Sequence, residues 1–181
     1  SFAQRRLWFL HHLEGPSPTY NIPVVVHLTG ELQIAALQQA LYDVVERHET
    51  LRTIFPDRSG TSRQIVLEPH HARPELIVQE VSENELSRVL DEAVRYSFDL
   101  AKEPPIRAQL FVIGEYRYVL LLLMHHIAAD GWSLTPLTRD LASAYHAHCQ
   151  QQKVDWPPLP VTYADYALWQ QEFLGNENRP D

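Results

Sequence analysis

His125 and His126, followed after three small or apolar residues by Asp130-Gly131, form the one stretch of this chain whose residue types suit proton transfer or hydrogen bonding to a reacting group. Successive side chains of an extended strand point to opposite faces. The two imidazoles therefore cannot both meet one ligand without a kink, and one of them is expected to be structural. Asp130-Gly131 suits a tight turn, and the glycine also lets substrate atoms approach the backbone closely. The plainer reading is a capped turn beside two half-buried histidines, and the His-His-x-x-x-Asp-Gly pattern alone does not separate the two readings.

The surrounding elements place this stretch. An apolar run from Tyr118 to Met124 stops at the histidines and a helix is expected from about Ser133, so the pair falls at a strand end, where a rigid scaffold presents side chains to a substrate. Tyr116 to His125 is expected to pair antiparallel with Ile106 to Ile113 through Gly114-Glu115. Upstream, Ile22 to Leu28 reads as a strand, and Glu31 to Glu49 carries Leu37, Leu41, Val44 and Val45 at helical spacing. Arg52 to Phe55 and Ser62 to Leu67 suggest a hairpin around residues 56–60, and Glu75 to Val81 reads as a further strand. Ser82 is expected to cap a helix running to about Tyr96, and Ser133 a helix whose Leu134, Leu137, Leu141 and Tyr145 share a face. Pro157-Pro158 and Pro160 form a stiff linker before a last helix from Tyr163 to Leu174. Strands and helices interleaved with short connections favour a mixed α/β sandwich over a strictly parallel, doubly wound sheet.

Composition narrows the function class. A chain of 181 residues, 45% of them hydrophobic, can bury one substantial core. The formal charge of −8, with no cluster of Lys or Arg, argues against a nucleic-acid or anionic-membrane partner. The single cysteine, Cys149, excludes an intramolecular disulfide and fits a reducing cytoplasm. No apolar run has membrane-spanning length. No set of four residues has the spacing of a structural zinc site: His11-His12 and His70-His71 are bare pairs, and His146 and His148 lie two apart on an expected helix, so no metal is expected.

Four segments carry a resemblance. Ser1-Phe-Ala-Gln-Arg-Arg-Leu-Trp-Phe-Leu10, Arg47-His-Glu-Thr-Leu-Arg-Thr-Ile-Phe55, Met124 to Ser133, and Tyr163-Ala-Asp-Tyr-Ala-Leu-Trp169 resemble, in order, the first four core motifs of the condensation domains of non-ribosomal peptide synthetases. The resemblance implies a chloramphenicol acetyltransferase-like two-layer sandwich lobe, with a mixed β-sheet and packed helices. It implies amide-bond formation between a donor acyl or peptidyl thioester and an acceptor aminoacyl thioester, as in antibiotic biosynthesis. Both thioesters ride on phosphopantetheine arms of upstream and downstream peptidyl carrier proteins, with an adenylation domain adjacent. Family domains have two similar lobes with the site between them. Residues 1–181 are therefore expected to be the N-terminal lobe, lacking its C-terminal partner and having little or no turnover alone, within a natural chain that extends both ways.

The same resemblance distributes roles. His126 is the imidazole facing the tunnel, and three roles stay open for it: proton acceptor from the attacking amine, hydrogen-bonding group that positions that amine, or stabiliser of charge on the tetrahedral intermediate. An α-amine of pKa about 7.7 to 8.0 is partly neutral near pH 7, so a dedicated base is not required. His125 is expected to hold the loop from within. Asp130 is expected to pair with Arg52, Gly131 to leave room for the acceptor arm, Trp132 to pack, and Ser133 to cap the following helix. Arg5, Arg6 and Trp8 are expected to stabilise the lobe, with Arg5 or Arg6 also placed to line the tunnel. Tyr163, Tyr166 and Trp169, at i, i+3 and i+6, suit the sealing of a core or a lobe interface.

Rival functions differ in their motifs. Epimerisation-type domains share the histidine motif but not the opening Ser-x-Ala-Gln-x-Arg-Leu-Trp, and heterocyclisation domains carry an Asp-rich pattern where this chain has His125-His126. A non-catalytic module that binds carrier proteins or tailoring enzymes typically has a degraded histidine motif. A free-standing acyltransferase using a soluble thioester needs a second lobe of its own. Ala128-Ala129 depart from the residues commonest before the aspartate and leave the stereochemical subtype open, although the first two motifs lean towards an L-configured donor.

Overall fold

The computed structural model describes residues 1–58 and 61–175, with the side chains of residues 58, 61 and 62 left aside. Its centre is β8 (Arg117–His125), an apolar strand because it is covered on both sides. Leu120, Leu122 and Met124 belong to the main core, while Val119 and Leu121 join Phe111 and Val89 in a smaller cluster on the opposite face. A strand buried on both faces shows a continuous apolar run instead of alternation.

β8 lies between β1 (Asn21–Thr29) and β7 (Ile106–Gly114), antiparallel to both, and β6 (Leu76–Glu80) completes the sheet parallel to β7. The turn from β7 to β8 passes through Tyr116 at φ 59°, a left-handed position that costs a non-glycine residue some strain. β6 and β7 are joined by α3 (Glu83–Ala93), whose Val89 contributes to the smaller cluster. Ser82 caps α3 reciprocally with Glu85, and the helix ends three residues earlier than the sequence suggests.

On the main face, α2 (Ile34–Arg47) and α4 (Leu134–Cys149) pack against each other and the sheet. α2 buries Leu37, Leu41, Val44 and Val45, the residues its periodicity singles out. After it, a short 3₁₀ turn, Glu49–Arg52, leads into β2 (Thr53–Ile54), which pairs with β5 (Ile65–Val66), while β3 (Asp57–Arg58) pairs with β4 (Thr61–Ser62). The expected hairpin is thus two short ladders, and its Ser59-Gly60 tip lies outside the described residues.

Two further helices flank the lobe. The first motif folds as α1 (Phe2–Glu14), for which the sequence shows no amphipathic stripe; its start is fixed by a capping box between Ser1 and Gln4. The last, α5 (Tyr163–Leu174), has the expected bounds and begins with a capping box of Thr162 and Asp165. Ser1 Oγ and Tyr163 Oη lie 2.9 Å apart, and Phe2 N donates to Gln170 Oε1, so α1 and α5 are neighbours. The result is the expected mixed α/β fold, a mixed sheet with packed helices. Among the described residues no helix is long and apolar enough to cross a membrane.

Candidate active site

The ladder of β8 ends at the histidines. His125 N donates to Pro105 O at 3.0 Å and His126 N to Tyr20 O at 2.8 Å, so each peptide is tied to a different neighbouring segment. Alternation then sends the rings apart. His125 is 1% exposed, whereas His126 is exposed and lines a cavity of about 530 Å³.

His125 closes the loop from inside. Its Nδ1 accepts the Ile127 N–H at 3.1 Å, so in the neutral ring the proton sits on Nε2. Nε2 is buried without a hydrogen-bond partner among the described residues. His11, Tyr20 and Phe98 surround the ring, with centroids 6.1, 6.1 and 6.2 Å away. Burial, reinforced by the neighbouring His11 and His126, lowers its pKa to about 4, and the ring is neutral at pH 7.

The loop has a second anchor, on α1. Gln4, 4% exposed on α1, donates from Nε2 to Ile127 O at 3.2 Å, and its Oε1 accepts from the Ser1 amino group. Its burial shows only in the structure, because no apolar stripe in the sequence marks which face of α1 turns inward.

Asp130 does not pair with Arg52. Its Oδ1 accepts from Ser133 N at 2.9 Å and from Ser133 Oγ at 2.7 Å, while its own N–H donates to Ser133 Oγ. These hydrogen bonds hold the carboxyl below its ordinary range against the opposing effect of burial. Arg52 is spent instead on the Leu67 carbonyl at 2.5 Å, the Glu46 carbonyl at 3.3 Å and the Glu49 carboxylate at 3.4 Å, fastening the 3₁₀ turn to β5. Each ion thus has local partners in place of the other, which weakens the drive to meet. Ser133, likewise, is not a side-chain cap of α4, because its hydroxyl is committed to Asp130. Trp132 is 91% exposed and does not pack within the lobe. A Cβ built on Gly131 meets nothing within 4 Å, so the chain's own packing does not demand glycine there.

The buried arginine–aspartate contact of this region lies elsewhere. Asp140 of α4, 3% exposed, accepts from Arg47 Nε at 2.9 Å, from His48 Nε2 at 3.0 Å and from Arg139 at 3.1 to 3.2 Å. Burial acts to raise its pKa, but the three hydrogen-bonding partners outweigh that and keep it ionised. Arg47 also donates to Pro157 O and lies 5.0 Å from the Trp156 ring centroid, drawing in the proline linker.

The cavity assembles the four motifs. Ala3, Arg6 and Leu7 come from α1, His48 and Glu49 from the end of α2 and the 3₁₀ turn, His126 to Asp130 from the loop, and Tyr163 from α5. Arg6 therefore lines the cavity, Trp8 is buried and donates to Phe55 O, and Arg5 sits over the Phe2 ring. Among the described residues no group of three or more His, Cys, Asp or Glu is placed to hold a metal ion.

The Condensation domain family model matches residues 1–181. The chain belongs to the Condensation domain family. Among its relatives, the dimodular nonribosomal peptide synthase of Bacillus subtilis (strain 168) is 67% identical over the whole chain, which spans only 8% of that protein. The isonitrile lipopeptide synthase of Mycobacterium tuberculosis (strain ATCC 25618 / H37Rv) is 49% identical, again over the whole chain and 7% of that protein. Among solved structures, the X-domain from teicoplanin biosynthesis matches with TM-score 0.89 and 37% identity over 98% of this chain and 38% of its own. The first condensation domain of the CDA synthetase shares the fold, with TM-score 0.81 and 22% identity over 94% of this chain and 44% of its own.

Proposed function

We propose that this condensation-domain chain is the histidine-bearing lobe of a two-lobed site. That site would join a donor acyl or peptidyl thioester to the amine of an acceptor aminoacyl thioester. The observation that carries the reading is the division of labour at the strand end: His125 is sealed in the core as a loop anchor, and His126 is delivered to a cavity walled by all four motifs. The order of the four motifs is the ground for reading residues 1–181 as the first lobe, and a share of 38% or 44% of two similar solved structures is compatible with one lobe of two. The remainder of such a domain would supply the opposite wall, and the lobe alone is expected to be inactive.

In this reading, the reaction needs little from the lobe beyond placement. The acceptor amine attacks the thioester carbonyl and loses a proton as the tetrahedral intermediate forms, and collapse breaks the carbon–sulfur bond, the departing pantetheine sulfur taking up a proton to leave as the thiol. His126 holds the amine by a hydrogen bond and receives its proton as the intermediate forms. Orientation of two reactants contributes as much as about 7–11 kcal/mol, more than the roughly 10² to 10⁴-fold available from a general base. Asp130 and Ser133 fix the exit of the loop, and Gly131 leaves open space for a pantetheine arm. The proposal brings with it carrier proteins with phosphopantetheine arms, an adjacent adenylation domain and a cytoplasmic setting, and the synthase names of two relatives support that context.

A second reading has one observation behind it. A solved structure is described as a complex of the teicoplanin X-domain with OxyB, and 37% identity to that X-domain makes a recruitment module the alternative. Mass spectrometry of peptide formation separates the two, using the two-lobed domain with matched carriers. Loss of product on His126→Ala supports condensation. Undiminished product from that variant overturns the role of His126, and absence of product from the unmodified domain favours recruitment.

A further inference from the structure

The cavity has a second imidazole. His48 caps the end of α2 and contributes to the cavity wall, yet its Nε2 is already engaged at 3.0 Å with the carboxylate of Asp140. An ionised carboxylate only accepts, so Nε2 must carry the proton, and in the neutral ring Nδ1 is left as an acceptor. No hydrogen bond reaches Nδ1 among the described residues, and the His48 side chain keeps 19% of its surface exposed.

The anchor is built for precision. Asp140 is nearly fully buried, and Arg47 and Arg139 bind it alongside His48, so the ring cannot turn without breaking a hydrogen bond to a charged group. Burial lowers the His48 pKa in spite of Asp140, which keeps Nδ1 unprotonated near neutral pH. A carboxylate on one imidazole nitrogen fixes the tautomer and leaves the other nitrogen with a defined role.

We propose that His48, oriented by Asp140, is a substrate-binding residue whose Nδ1 accepts a hydrogen bond from an N–H group of a carrier-bound substrate in the cavity that also holds His126. Asp140 is its positioning residue. The inference rests on the condensation reading for the substrate, but not for the hydrogen-bond acceptor itself.

Two substitutions separate substrate contact from scaffolding, made in the two-lobed domain and assayed with matched carriers. In His48→Gln the amide nitrogen reaches the position of Nε2 and keeps the bond to Asp140, while the δ acceptor is lost. In His48→Asn the carboxamide oxygen replaces Nδ1, while the bond to Asp140 is lost. We expect His48→Gln to raise KM for one carrier substrate by about fivefold to tenfold, the worth of one neutral hydrogen bond, and His48→Asn to raise it less. The reverse order, or no change in either variant, overturns the proposal. Nitrogen-15 spectra of the histidine-labelled unmodified domain give an independent readout. We expect a neutral Nε2–H ring whose Nδ1 resonance moves on addition of glycyl-aminopantetheine. An Nδ1–H tautomer, or an Nδ1 signal indifferent to that probe, overturns it. If the unmodified domain forms no peptide, the condensation reading falls while the tautomer and probe responses still decide whether His48 is an acceptor.

Discussion

His125 Nδ1 accepts the backbone N–H of Ile127 at 3.1 Å, a bond across two residues that turns the chain sharply at the end of β8 and releases His126 to the cavity. The bond exists only while Nδ1 is unprotonated.

Acid should therefore loosen this lobe through His125. In the unfolded chain the ring takes up a proton near its ordinary pKa of 6.5, whereas in the folded lobe it does so only at about 4. The unfolded state binds more protons between those values. Stability is thus full above about pH 6.5 and declines by roughly 3 kcal/mol as pH falls to about 4. Urea denaturation from pH 7 to 4 should show this slope, and a folded His125→Gln variant should show a shallower one; equal slopes would contradict the assignment.

Gly131→Ala should leave folding alone and impair function. The added methyl meets nothing within 4 Å in the lobe and φ there is ordinary, so the melting temperature is expected to stay within about 2 °C. Peptide formation by the two-lobed domain should fall at least tenfold if a pantetheine arm passes over that face. Wild-type rates from the variant would show that the space is unused.

Arg52 and Asp130 should behave as independent residues. Arg52→Ala uncovers the Leu67 and Glu46 carbonyls, and Asp130→Ala removes the Ser133 clasp. Each is expected to cost about 1–2 kcal/mol, with a coupling energy in the double mutant below about 0.5 kcal/mol. A coupling above about 1 kcal/mol would restore the direct pair.

The outer face of α5 should govern solubility. Tyr166, Trp169 and Phe173 form a run of neighbouring rings, Trp169 and Phe173 stacked at 5.3 Å, and all three are exposed in this lobe. Large exposed apolar patches promote association. Trp169→Ser with Phe173→Ser is expected to reduce self-association of the isolated chain in sedimentation experiments without lowering its melting temperature. A fall of more than about 5 °C would show that the rings support the lobe itself.

Much of this was legible in the sequence, for identifiable reasons. The strand at Ile22 to Leu28 and the helix from Tyr163 to Leu174 announce themselves by β-branched content and by capping residues after a proline linker. The separation of the two imidazoles follows from alternation alone. Three features were hidden. α1 lacks an apolar stripe, so periodicity says nothing of it. The clasp of Asp130 by Ser133 competes with a longer-range partner, and sequence does not rank the two. Asp140, set one residue after Arg139 on an otherwise ordinary helix, becomes the hub of the Arg47 and His48 contacts only when α2 and α4 are packed.

The loop carrying His126 is not held by its own ten residues alone, for the bonds of His125 to Ile127 and of Asp130 to Ser133 are joined by three from outside it. Its peptides are held by the Gln4 side chain, by the Tyr20 carbonyl and, one residue earlier, by the Pro105 carbonyl, three segments scattered over a hundred positions of chain. The motif is consequently not portable. Grafted alone into another scaffold it would arrive as a flexible peptide, and exchange of material between synthetases should succeed only where crossover points keep α1, the start of β1, the entry to β7 and the loop on the same side of the cut.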